Sequence, residues 1–276
     1  MKKCFALIVI LIISGFNTTD LFAEENQVYT IGIVPQFEIR HIRTIWNPIL
    51  KEIEKKTGYK LNLIGSPTIP DFERGFNAGR FDFAYMNPYH ILLAEKSQGY
   101  TPLVRDNGRK LLGILVVRKD SGINSIKDLN GKKIAFPAPN ALGASLLMRA
   151  NLHNDFNIDF TPVYVKTHSS VYLNVVLKQA DAGGGVQKTL NQQKNIIKSE
   201  LQIIHRTPEV SPHPLVVHPR VSQKVKENVK NAILHLGDNE IGKALLSKIP
   251  MKKVGEARMA DYTPLKKYEL EKFYVK

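Results

Sequence analysis

Residues 132–145, KKIAFPAPNALGAS, set a short apolar run beside a turn suited to anions. Ile134–Phe136 reads as a buried strand that Pro137 and Pro139 terminate, and Asn140 is expected to cap a helix beginning near Ala141. A helix start presents unpaired backbone N–H groups and the positive end of its dipole. The N–H groups around Leu142, Gly143 and Ala144 are therefore a candidate anion seat, with an ordinary strand-to-helix connection as the alternative. Two further groups follow strand-like runs. Tyr85 and Asn87 come after Phe81–Ala84, ahead of Tyr89 and His90, and offer polar tips on flat apolar bodies. Gln36 and Phe37 follow the run Val28–Val34 and are candidates for a cleft wall.

Catalytic patterns are missing from the same chain. There is no G-x-S-x-G elbow, no P-loop and no H-E-x-x-H or H-x-x-x-H pair among the eight histidines, so neither a catalytic residue nor a metal or cofactor is expected. Gly183–Gly185 lacks the spacing of a dinucleotide fingerprint. It is either a tight turn or a place where backbone approaches a ligand. His213, between Pro212 and Pro214, is read as part of a rigid crossing rather than as a metal ligand.

The elements that must position these residues alternate along the chain. After the first strand, Ile42, Ile45, Trp46, Ile49, Leu50 and Ile53 share one helical face that Gly58 ends. Strand Lys60–Ile64, helix Pro70–Ala78, strand Phe81–Tyr85, a helix from Asn87-Pro88 and strand Thr101–Arg105 follow. A second alternating set runs from Lys132 to His205, and the chain then returns through Pro208, Pro212 and Pro214. The pattern predicts an α/β fold with parallel sheets, in two lobes joined by crossings near 111–121 and 206–218, with a single continuous domain as the alternative. The expected division is lobe 1 over 24–121, lobe 2 over 122–205, and the return crossing with the rest of lobe 1 over 206–276.

Residues 1–23 read as a secretory signal: Lys2 and Lys3, the apolar run Phe5–Ile13, and Leu21-Phe22-Ala23 before cleavage. The single cysteine, Cys4, would leave with it, so disulfides are not expected. The run is shorter than the roughly 20 residues of a spanning helix. The product is expected to be a periplasmic monomer. A net charge of +14 hints at anionic ligands, but the lysines are scattered over helix faces and export argues against nucleic acid.

In order and spacing, several segments resemble one family. They are IGIVPQ with WNPILKEIEKKTG, FNAGRFDFAYMNPYH, LVVRKDSGINSIKDLNGKKIAF, PAPNALGAS, KTHSSVYLNVVLKQADAGGG and SPHPLVV. Over about residues 28–265 the chain resembles the exported solute-binding proteins of ABC importers with the type II two-lobe fold, most nearly the phosphate/phosphite/phosphonate-binding group. The resemblance implies a ligand cleft between the lobes and delivery of a small, anionic solute to a membrane permease. A sensor-kinase partner is the alternative, and a cleft hydrolase a more remote one. It also implies that His168, Ser169 and Ser170 form a second helix start at the cleft. Ser169 or Ser170 would cap that helix, and the imidazole would tune its charge near neutral pH. Three features depart from the family pattern. The turn at 140–144 has no hydroxyl before Ser145, Ile69 and Met86 stand where aromatic residues are expected, and no acidic residue of the Gly183–Gly185 turn matches the one that pairs with a substrate amine.

Overall fold

The computed structural model describes residues 27–249 and 251–275. The expected signal and its cleavage point lie outside the described residues. Two sheets account for the architecture. The first has the order β11-β4-β10-β3-β1-β2. It contains β1 (Val28–Ile33), β2 (Lys60–Ile64), β3 (Phe83–Tyr85), β4 (Thr101–Asp106), β10 (Leu215–Val217) and β11 (Val254–Glu256). β1 pairs in parallel with β2 and β3, with Ile31 opposite both Leu63 and Phe83, while β10 runs antiparallel between β3 and β4.

The second sheet has the order β7-β6-β8-β5-β9. Its strands are β5 (Ile114–Arg118), β6 (Lys133–Phe136), β7 (Thr161–Tyr164), β8 (Ala182–Gly185) and β9 (Leu201–Arg206). β6 is parallel to β7 and β8, and β5 is antiparallel to β8 and β9. Because β5 belongs to this sheet, the outward crossing ends at Gly113. The expected boundary at 121 is therefore corrected to a point before Ile114.

Helices cover the first sheet: α1 (Ile39–Thr57), α2 (Ile69–Asn77), α3 (Pro88–Gln98), α8 (Gln223–Leu236) and α9 (Glu240–Leu246). On α1, Ile42, Trp46, Ile49, Leu50 and Ile53 are buried at helical spacing, and the helix ends at Gly58 in the left-handed region (φ 77°). The second sheet carries α4 (Leu147–Asn154), α5 (His168–Val176), and the short α6 (Gln187–Asn191) and α7 (Asn195–Lys198). Among the described residues no helix is long and apolar enough to cross a membrane.

The two crossings hydrogen-bond to each other. Leu111 and Val210 exchange both backbone bonds at 2.9 Å, and Gly113 and Thr207 pair through Gly113 N–H to Thr207 Oγ1 (2.8 Å) and Thr207 N–H to Gly113 O (3.0 Å). A pair of short connections between two rigid sheets is hinge geometry. The C-terminal segment adds a link that the pattern did not predict: Phe273 O accepts from Arg149 Nη2 (2.6 Å), and Val275 exchanges bonds with the Asn140 side chain. Residues 273–275 thus reach the second lobe rather than staying with the first.

Candidate ligand-binding site

Past the carboxyl end of β6 the chain turns into a π-helical segment, Leu142–Leu146, that runs on into α4. Ala141 O accepts from both Ser145 N–H (2.8 Å) and Leu146 N–H (3.1 Å). The N–H groups of Leu142, Gly143 and Ala144 precede that first rung and are not consumed by it. Two glycines, Gly113 on the outward crossing and Gly184 on β8, let neighbouring backbone approach this turn. A Cβ on Gly113 would lie 1.9 Å from Gly143 O, and one on Gly184 would lie 2.0 Å from Ala144 O. Gly184 therefore serves this backbone packing, while a Cβ on Gly183 or Gly185 would meet the Val171 or Tyr172 side chain.

Asn140 does not cap the helix. Ala141 holds the N-cap position, and Asn140 is buried, with Nδ2 donating to Glu73 Oε2 (3.1 Å) and Val275 O (2.7 Å) and Oδ1 accepting from Val275 N–H (3.0 Å). Those partners hold its amide outside the cavity. The second helix start also differs from expectation. Thr167, in extended conformation, caps α5 by accepting from Ser170 N–H at 3.1 Å. Ser169 is exposed and accepts from Gln193 Nε2, Ser170 shares a hydrogen bond with Thr167 Oγ1, and neither lines the cavity.

His168 does line it, with a buried Nδ1 that has no partner. Burial pushes its pKa down to about 4, so the imidazole is neutral at pH 7 rather than poised to switch there.

The cavity encloses about 600 Å³ between the lobes. Gln36, Phe37, Tyr85, Asn87, Leu142, Gly143, Ala144 and His168 all border it; Asn140, Ser169 and Ser170 do not. Tyr85 sits with Trp46 and His213 on either side, at ring-centroid distances of 4.9 and 5.5 Å. Its hydroxyl is buried without a partner, and burial raises its pKa well above the usual phenol range. Asn87 Oδ1 is committed to the Tyr89 and His90 N–H groups at the start of α3, and its Nδ2 to His90 Nε2 and Asn140 O. It forms wall and lobe contact more than it offers a free amide.

Sequence reasoning missed several wall residues. His213 is buried against the cavity, takes a 3.0 Å hydrogen bond with Gln36 Nε2, and is lowered to about 3 by burial and by the charges of His90, His168 and Arg109. Six residues with cationic side chains line the same space: Arg109 and Lys188, which are half-buried, and Lys110, Lys166, Arg206 and Lys248, which are exposed. No aspartate or glutamate lies among the lining residues. Lys188 is lowered to about 8, first by burial and then by the positive charge of Arg109. It donates to Lys248 O at 3.0 Å, while Arg109 is steadied by Asp106 (2.7 Å) and Arg206 by Gln187 (3.0 Å). An anion between the lobes would relieve the mutual repulsion of these groups.

With this geometry in place, the comparisons with known proteins become specific. Residues 31–262 match the family described as "ABC transporter, phosphonate, periplasmic substrate-binding protein". The chain belongs to that family. It is 24% identical over 240 residues to the phosphonates-binding periplasmic protein of Escherichia coli, covering 82% of this chain and 71% of that one. It is also 21% identical over 226 residues to a phosphate-import protein of Mycolicibacterium smegmatis, with 74% and 70% coverage. A Prochlorococcus marinus protein solved in complex with methylphosphonate shares the fold at a TM-score of 0.80 and 18% identity, covering 89% of this chain and 98% of that chain. The fold is thus the type II two-lobe binding-protein fold. Members of the family are periplasmic solute-binding components of ABC importers, a role in which the ligand is carried rather than transformed.

Proposed function

We propose that the protein captures a phosphorus oxyanion, a phosphonate or phosphate, between its lobes and hands it unchanged to an ABC permease after export to the periplasm as a monomer. The observation that carries this reading is a cavity bordered by six cations and no carboxylate, with the Tyr85 hydroxyl buried and unpartnered against it. The Leu142–Ala144 N–H groups and the neutral His168 on one lobe, and Tyr85 on the other, supply hydrogen-bond donors for several oxygens of one anion. Binding to both lobes favours the closed form only by the extra affinity that form offers, and the hinge at Leu111–Gly113 and Thr207–Val210 is where that change is taken up. The closed surface is what a permease would recognise.

Thermal-shift assays with phosphate, phosphite and methylphosphonate test the reading. A ligand at a hundred times its Kd adds about 2.7 kcal/mol of stability, a shift of several degrees. Tyr85→Phe is expected to leave the unliganded protein as stable as before, because the lost hydroxyl had no partner, and to weaken the anion about ten-fold. Absence of any shift with all three anions would overturn the proposal.

A further inference from the structure

Part of the cavity lining has no use for an oxyanion. Ile42, Ile45 and Trp46 come from one face of α1, and Phe37, Ile69 and Ile249 also line the cavity. Phe37, Ile45 and Ile69 are half-buried, which leaves them apolar surface still to cover. The volume, about 600 Å³, lies in the range of roughly 300–1,000 Å³ that encloses drug-sized molecules, far more than a five-atom anion fills. Charge points the same way. No carboxylate in the lining can pair with an ammonium, and Arg109 and Lys188 would repel one.

Resting on the phosphorus-oxyanion reading above, we infer that the preferred ligand is a phosphonate bearing an apolar alkyl or aryl substituent, with its head on the cationic, donor-rich side and its substituent against Trp46 and the α1 face. Neither a bare anion nor an amino-substituted phosphonate matches both parts of the lining. Each methylene buried against this wall is worth roughly four-fold in affinity, so n-butylphosphonate gains on the order of fifty-fold over methylphosphonate. The ammonium of 2-aminoethylphosphonate forfeits that gain.

Calorimetric titration of the protein with phosphate, methyl-, n-butyl- and 2-aminoethylphosphonate, and n-butylsulfonate, tests this. The expected order places n-butylphosphonate first by ten-fold or more and the aminoethyl compound below methylphosphonate. Ile45→Ser, and separately Trp46→Ala, should shrink the butyl-to-methyl ratio. Tightest binding of phosphate, methyl- or 2-aminoethylphosphonate would overturn the inference while leaving the phosphorus-oxyanion reading intact. Binding of n-butylsulfonate without any phosphorus compound would overturn that reading while supporting the apolar subsite. If nothing binds, both fall.

Discussion

Acid should strip stability from this protein through a histidine that the cleft keeps neutral. His213 is 8% exposed and stacked on Tyr85, and its pKa drops from an ordinary 6.5 to about 3. With Gln36 Nε2 as the donor, His213 Nε2 is the acceptor, a bond that only the neutral ring can make. Between pH 6.5 and about 3 the unfolded chain therefore binds a proton that the folded one refuses, and stability falls as pH falls through that window. At pH 5, 1.5 units below the ordinary value, the loss from this residue is about 2 kcal/mol, at 1.36 kcal/mol per unit. Replacing it by glutamine, His213→Gln, keeps a polar partner for Gln36 and removes the titration. Urea unfolding at pH 7 and pH 5, in buffers free of phosphate, reads the difference. The variant should lose about 2 kcal/mol less than wild type over that span, whatever its stability at pH 7. Equal losses in the two proteins would refute the argument.

Three further outcomes are expected. Thr167→Ala should cost about 1 kcal/mol in urea unfolding through loss of the α5 cap, while Ser169→Ala stays within about 0.5 kcal/mol. Gly184→Ala drives a Cβ to 2.0 Å from Ala144 O, so it should destabilise by at least about 2 kcal/mol or displace the turn and weaken anion binding measured by calorimetry. Lys188 loses its proton near pH 8, so wild-type affinity for methylphosphonate should drop about five- to ten-fold between pH 8 and 9.5, and the same titration of Lys188→Met should show no such drop.

What sequence could and could not foretell divides along a physical line. Alternating apolar runs encode their own periodicity, so the α1 face from Ile42 to Ile53 and the strands that line up beside β1 were legible in the chain order alone. The Gly58 stop was legible as well, but the N-caps expected at Asn140 and at Ser169 or Ser170 were not, because an N-cap is chosen by the backbone angle at which a strand ends. Three hydroxyls stand at 167, 169 and 170, and only Thr167 takes the extended conformation that aims its oxygen at the N–H of Ser170, three residues on. Asn140 was misread for another reason: its partners Glu73 and Val275 lie 67 and 135 residues away, so no local pattern contains them.

The cations of the cleft were dispersed along the sequence like solvated lysines, and the outward crossing, the ends of β7, β8 and β9 and the segment after α9 gather them. A signal did exist for one of them. The rule that ligands sit beyond the carboxyl ends of strands, applied to β6, points to Leu142–Ala144; applied equally to β8, it points to Val186–Thr189 and so to Lys188. Arg109 and His213 obey a second rule, since chain passages between lobes border whatever lies between them. Proline-flanked His213 looked like hinge stiffening because its neighbours in sequence are prolines. Its neighbours in space are Tyr85, Gln36 and the cavity, and it is those that hold it neutral and make acid sensitivity a property of the binding site rather than of the surface.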